Sequence, residues 1–412
     1  MSVHAGEIEA VFREERGRLL ASLVAQYRDL DLAEDVTSDA LEAALVHWPV
    51  DGVPSRPGAW LLTAARRKAL DIVRRDTVYA NRIAQLAVDV ERADPVQHGD
   101  EVDLPDDRLQ LFFTCAHPAL AVEDRLVLTL RCLAGLTTPE VARALLLTPA
   151  TAGQRVVRAK KKISQSRIPF RVPGADELPS RLPLVLQVVY SVFTEGYSAS
   201  SGEDLMRIDL AEEAIGLGRV LHRLMPDSRN VSGLLALMLL VHARRGARTD
   251  PDGDVVLLAD QDRSLWDTDA IAEGTALVER ALNGGPPGRY AVQAAIAALH
   301  DEAADAASTD WPQIVALYEV LTGLAPSPIV AMNHAVAVAM CDGPQRGLEL
   351  LDELRNQKEL ARYYPFPLAR ADLLQKLGRD ADAVEAYRVA LACVVSTPVR
   401  EMIERRLATV RR

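Results

Sequence analysis

The chain has 412 residues and a formal net charge of −11; 49% of its residues are apolar, 25% charged and 5% aromatic. That length exceeds one ordinary core and implies two or three domains, and the apolar share excludes a wholly disordered chain. Alanine and leucine dominate and β-branched runs are scarce, so the expected fold is all-α with small-residue helix packing.

Residues 1–77 form a first helical module. Within it the block "DLDLAED" (29–35) is acidic and the block "ARRKALDIVRRD" (65–76) is basic. In the basic block, Leu62, Ala65, Ala69, Ile72 and Val73 recur at helical spacing as a buried stripe, leaving Arg67, Lys68, Arg74 and Arg75 for the opposite side. Asp71 stands at ion-pair spacing from Arg67 and Arg75, so a salt-bridged surface helix competes with a nucleic-acid contact.

Residues 78–107 contain "VERADPVQHGDEVDLPDD" and predict an acidic, flexible linker, with Glu91, Asp100, Glu101 and Asp103 among its acids. A second small helical module covers 108–168. Its stretch "LTTPEVARALLLTPATAGQRVVRAKKKI" (136–163) predicts helix, tight break, helix. Thr137 and Glu140 have capping-box spacing. Thr148 is placed to cap the second helix, with Pro149 where its missing N–H costs nothing. Ala152, Val156, Ala159 and Ile163 then point inward, which leaves Thr151, Gln154, Arg155, Arg158, Lys161 and Lys162 outward. Arg suits guanine and Gln suits adenine in a major groove, while the lysines suit phosphates. A solvated basic helix that merely closes a bundle is the competing account.

Three prolines in "IPFRVPGADELPS" (168–180) mark 169–180 as a second linker. From 181 to 412 the pattern is a long helical array. "AVAVAMCDGPQRGLELL" (335–351) aligns without gaps on "ADLLQKLGRDADAVEAY" (371–387), at about the spacing of tetratricopeptide units. Stacked units of that kind leave a concave face for partners.

The charges nearly cancel up to about residue 171, and most of the deficit lies beyond it. Two basic helices on modules joined by a flexible linker would grip two sites on one duplex with gained avidity.

Several stretches together resemble a known family. "DLAEDVTSDALEAALVHWP" with "PGAWLLTAARRKALDIVRR" resembles region 2 of extracytoplasmic-function (ECF) sigma factors, and "HPALAVEDRLVLTLRCLAGLTTPEVARALLLTPATAGQRVVRAKKKI" resembles their region 4. "FTEGYSAS", "LLALMLLVHARR", "LLADQDRSLWD" and "SPIVAMNHAVAVAMCDGP" resemble the subgroup with a tetratricopeptide-like C-terminal extension.

The resemblance implies a non-catalytic transcription-initiation subunit. Asp31, Glu34, Asp35, Asp39 and Trp48 would dock on core RNA polymerase, at the clamp of the largest subunit, with a further contact to the flap. Arg66, Arg67, Lys68, Arg74 and Arg75 would hold the −10 element and its melted strand, and the helix bearing Gln154 and Arg155 would read the −35 element. Unstacking bases costs a few kcal/mol each, and a pocket for a flipped base recovers part of that cost. The acidic linker would follow the path to the RNA exit channel. Ser38, Leu41 and Gly153 depart from the residues most frequent there, which leaves individual contacts open. The subgroup also implies a regulatory extension, with a small YCII-like protein or an unidentified ligand as its partner.

Other chemistry finds less support. Cys115, His117 and Cys132 lack a paired C-x-x-C and a fourth zinc ligand, so buried thiols are expected, reduced like the scattered Cys341 and Cys393. "TDPDGDVVLLADQDRSLWD" (249–267) lacks the closing glutamate of a calcium loop and predicts a polar turn or hairpin near 251–253. Glu195, Tyr197, Gln261, Asp262 and Trp266 are candidates for a docking contact on this charged interruption. No phosphate loop, nucleophile elbow or H-E-x-x-H is present, so neither an enzyme nor a cofactor is expected. With no apolar run of spanning length, a cytoplasmic protein without membrane contact is expected. A helix-turn-helix regulator with a tetratricopeptide sensor remains the alternative.

Overall fold

The computed structural model describes residues 2–75, 107–145, 147–198, 205–251, 253–394 and 396–410. The described residues are helical throughout, apart from short turns and one isolated antiparallel bridge between Thr249 and Val255. The chain divides into two compact units, Met1–Val189 and Tyr190–Arg412.

The first unit opens with α1 (Ser2–Tyr27), α2 (Leu30–Asp51) and α3 (Pro57–Arg75), all three in mutual contact. Leu19, Leu20 and Leu23 of α1, Val36, Ala40 and Ala44 of α2, and Leu61, Ala65 and Ala69 of α3 supply the core. Asp29 starts α2 by accepting from the backbone N–H groups of Asp31 and Leu32, at 2.9 and 3.0 Å. Four shorter helices follow: α4 (Arg108–Cys115), α5 (Val122–Cys132), α6 (Thr138–Ala144) and α7 (Pro149–Gln165). The acidic linker residues Glu91, Asp100, Glu101 and Asp103 lie outside the described residues.

Cys115 and Cys132 are buried side by side, and hydrogen bonding to Cys132, burial and nearby negative charge push the Cys115 thiol well up. His117 turns away to accept from the Ala119 N–H at 3.1 Å. No cluster of metal-ligating side chains occurs among the described residues.

The expected linker 169–180 ends sooner than its prolines suggest, because α8 (Leu178–Tyr197) already begins at Leu178. Pro179 falls in the first helical turn, where a proline displaces no hydrogen bond. The second unit continues with α9 (Ile208–Leu224), α10 (Arg229–Ala243), α11 (Thr268–Leu282), α12 (Arg289–Glu302), α13 (Trp311–Leu324), α14 (Pro328–Asp342), α15 (Pro344–Glu353), α16 (Pro365–Lys376), α17 (Asp380–Cys393) and α18 (Thr397–Val410). Sequential neighbours pack on one another, and α10 is buried on nearly every side against α11 and α12. The two aligned stretches become the pairs α14–α15 and α16–α17, and their matched residues share burial: Ala335 with Ala371, Gly347 with Ala383, Leu351 with Tyr387. The segment near 251–253 is a small hairpin, with Gly253 at φ 87° and its N–H donating to Asp250.

Candidate nucleic-acid interface

The helix pair α6–α7 forms as its caps dictate. The Thr137 N–H donates to Glu140 Oε2 at 2.6 Å and the Glu140 N–H to Thr137 Oγ1 at 3.4 Å, closing a capping box. Thr148 Oγ1 accepts the Thr151 N–H at 3.1 Å, with Pro149 in the first turn of α7. Ala152, Val156, Ala159 and Ile163 are the buried residues of α7. Gln154, Arg158, Lys161 and Lys162 are exposed, and Thr151 and Arg155 are half-buried. The expected outward set therefore shares one side of the helix.

Arg158 is not a loose side chain. Asp124, buried near the start of α5, accepts from its Nε and Nη2 at 3.0 and 2.5 Å. The hydrogen bonds and the carboxylate charge raise the guanidinium above its ordinary range. Such a fork fixes the plane in which Arg158 meets a ligand. Among the described residues, Arg155, Lys161 and Lys162 have no acidic partner.

On α3, Leu62, Ala65 and Ala69 are buried, whereas Arg66, Arg67 and Lys68 are exposed. Arg66 Nε donates to Gln26 Oε1 at 3.0 Å. Arg74 and Arg75 complete the helix, but their side chains lie outside the described residues, as does that of Val73.

The acidic helix is less uniform than its composition suggests. Asp31 and Asp35 are exposed and Asp39 half-buried, but Glu34 and Trp48 lie inside. Trp48 is 2% exposed and meets Trp60 edge-on, with ring centroids 5.4 Å apart. The Glu34 side chain pairs with Lys160 of α7 at 2.5 Å and with Arg131 of α5 at 3.1 Å. In this conformation Trp48 is a packing residue and Glu34 half of an internal charge cluster.

The candidates in the extension are all engaged within it. Glu195 pairs with Arg207 at 3.1 Å. The Arg248 guanidinium lies 3.7 Å from the Tyr197 ring centroid and donates to the Tyr197 carbonyl. Gln261 donates to the Val256 carbonyl at 3.3 Å, and Asp262 caps a short turn by accepting from the Ser264 N–H at 2.9 Å. Trp266 is buried, flanked by the guanidinium groups of Arg263 at 4.5 Å and Arg244 at 5.4 Å. Trp266 is buried, Glu195, Tyr197 and Gln261 are half-buried, and Asp262 is exposed.

Sequence reasoning missed Asp124 and Lys160. Lys160 stands four residues after the buried Val156, at the edge of the inward stripe, and that spacing was the available signal.

Comparison with known proteins agrees with this layout. Residues 11–78 match the sigma-70 region 2 family and residues 113–163 match the sigma-70 region 4 family. Residues 181–282 match a family of unknown function, DUF6596. The chain belongs to one family with the uncharacterized protein R00370 of Rhizobium meliloti (strain 1021): the two are 39% identical over 390 residues, covering 94% of this chain and 92% of that protein. It is also 26% identical over 214 residues to the probable ECF RNA polymerase sigma factor SigI of Mycobacterium tuberculosis, covering 50% of this chain and 68% of SigI. No helix among the described residues is long and apolar enough to cross a membrane.

Proposed function

We propose that the chain is an ECF-type sigma factor that binds core RNA polymerase, recognises −10 and −35 promoter elements, promotes melting and leaves catalysis to the polymerase. The observation that carries this reading is the presence of both sigma-70 domains in one chain, with α7 offering Gln154, Arg155, Arg158, Lys161 and Lys162 opposite its buried stripe. An amphipathic helix anchored in this way suits a major groove, with arginine and glutamine for base edges and lysines for phosphates. Arg66, Arg67 and Lys68 suit the backbone of a separated strand.

The extension acts on these modules as a regulatory array. Its partner is a small YCII-like protein or another ligand, and the chain works in the cytoplasm. Transcription with purified core polymerase and no other sigma factor tests the assignment. Initiation from a cognate promoter is expected. A chain that binds DNA but initiates only beside another sigma factor is a helix-turn-helix regulator instead, and the assignment is then wrong.

A further inference from the structure

The second unit, which begins at Tyr190, sets a row of aromatic rings between two arginines. On α8, Tyr190, Phe193 and Tyr197 recur at three- and four-residue spacing and so share a face. Ring centroids are 6.5 Å apart from Tyr190 to Phe193 and 6.0 Å from Phe193 to Tyr197. From α12, Tyr290 meets Tyr190 edge-on at 5.4 Å. At that end Arg289 lies 4.6 Å from the Tyr290 ring centroid and donates to the Tyr290 hydroxyl at 2.7 Å. At the other end the Arg248 guanidinium lies over Tyr197. Two helical turns, about 10 Å, separate Tyr190 from Tyr197.

Arg248 differs from other arginines of this unit. Arg207 is paired with Glu195 at 3.1 Å, Arg244 with Asp301 at 2.7 Å and Arg406 with Asp372 at 2.7 Å. Arg248 is half-buried, yet among the described residues it has no carboxylate partner and donates only to the Tyr197 carbonyl. Burial lowers it from its ordinary range, opposed by the nearby phenols of Tyr197 and Tyr364, and a guanidinium so placed keeps its charge. Tyr363 and Tyr364, just before α16, bring further phenols into the row. Tyr190 is pushed up to about 12 by burial and then by the phenols of Tyr290, Tyr363 and Tyr318, and burial also raises Tyr363 and Tyr364. At neutral pH these hydroxyls are therefore protonated donors. Among the described residues the hydroxyls of Tyr190, Tyr363 and Tyr364 have no hydrogen-bond partner, and none of them is sealed from solvent.

We propose that Arg248, with the hydroxyls of Tyr190, Tyr363 and Tyr364, binds the phosphate or carboxylate group of a small molecule. A half-buried cation without a counter-charge is costly, and the Tyr197 ring offsets that cost only in part. An oxyanion completes the arrangement, because it accepts from the free edge of the guanidinium and from the phenols together. The groups gathered here are donors, so a cationic ligand is repelled and a neutral one leaves the charge unmatched. The aromatic row packs against the body of the molecule, and Arg289 stands at its far end for a second acidic group. The site lies within the extension and does not depend on the sigma-factor reading.

Titration calorimetry on the full chain, at constant ionic strength, compares phenyl phosphate with benzoate, which carry the two oxyanions on the same ring. One-to-one binding of at least one of them is expected, and the tighter of the two identifies the group. Tyr363→Phe and Tyr364→Phe each remove a hydroxyl that bonds nothing in the chain. Both variants should keep the wild-type melting temperature and weaken binding about tenfold, the loss of one hydrogen bond to a charged group. Arg248→Gln should abolish binding, and the phenylalanine variants carry the test if that chain fails to fold. Saturation by neither probe overturns the proposal and leaves the sigma-factor reading intact. Binding that both phenylalanine variants leave unchanged belongs to another cationic surface, such as α7, and overturns it equally.

Discussion

Trp48 separates a packing role from a contact role. The side chain is buried against Trp60, and its indole Nε1 meets no acceptor among the described residues. Trp48→Ala removes a fully buried indole and one aromatic pair, at a cost of about 4–6 kcal/mol. That is most of the stability of a small helical module. Trp48→Phe keeps a ring on Trp60 and sacrifices no hydrogen bond, so it should cost only about 1–1.5 kcal/mol. Urea unfolding followed by circular dichroism measures both costs, and core-polymerase binding is measured on the same samples. The phenylalanine variant should bind core as wild type does, and the alanine variant should lose binding in step with its loss of fold. A phenylalanine variant that folds normally but binds core tenfold more weakly would show that Trp48 touches the polymerase, and the packing argument would fail.

Three further outcomes follow from the geometry. Lys161→Ala and Lys162→Ala should each reduce the slope of log affinity against log salt for a −35 duplex by about one and weaken all sequences alike, whereas Gln154→Ala should alter base preference; an unchanged slope removes the lysines from the phosphate contact. Gly196→Val should lower the melting temperature of the extension by about 5–10 °C in calorimetry, because a Cβ there would lie 2.4 Å from the Ala211 nitrogen and force α8 off α9; an unshifted transition contradicts that packing. Burial, with Arg245 nearby, holds His242 down to about 4 from its ordinary 6.5. The folded extension therefore takes up fewer protons than the unfolded chain between those values, and the His242 contribution is complete above pH 6.5 and lost as pH falls toward 4. Asp301, pushed up to about 6 by burial, acts oppositely, so the informative comparison is with His242→Gln. That variant should lose about 1–2 kcal/mol less between pH 6.5 and 4, and parallel pH profiles would refute the assignment.

The parts legible from sequence were those fixed by local chemistry. The capping box at Thr137 and Glu140, the Thr148 cap and the stripe from Ala152 to Ile163 each involve residues within one or two helical turns, so spacing alone determines them. The all-α fold and the hairpin near 251–253 were readable for the same reason. Trp48 was expected to dock on the polymerase on family resemblance, although Ala40, Ala44 and Trp48 already mark a buried stripe at four-residue spacing. Glu34 was not legible, because its partners Arg16, Arg131 and Lys160 come from three other helices. The contacts of the extension candidates were not legible for a similar reason. Tyr197 and Trp266 were expected as docking candidates, whereas Arg248 lies over the Tyr197 ring and Arg244 and Arg263 over the Trp266 ring, partners distant in sequence.

The net charge of −11 argues against DNA binding only if acids and bases are treated as interchangeable. In the first unit many acids are committed: Asp29 caps α2, Glu140 closes a capping box, Asp124 orients Arg158, and Asp31 and Glu34 hold Lys160. Each commitment uses an acid at short range and leaves the outward side of α7 cationic. At physiological salt, exposed charges farther apart than about 8 Å are largely screened. A phosphate in contact with Lys161 or Lys162 therefore responds to α7 far more than to the surplus of acid elsewhere in the chain.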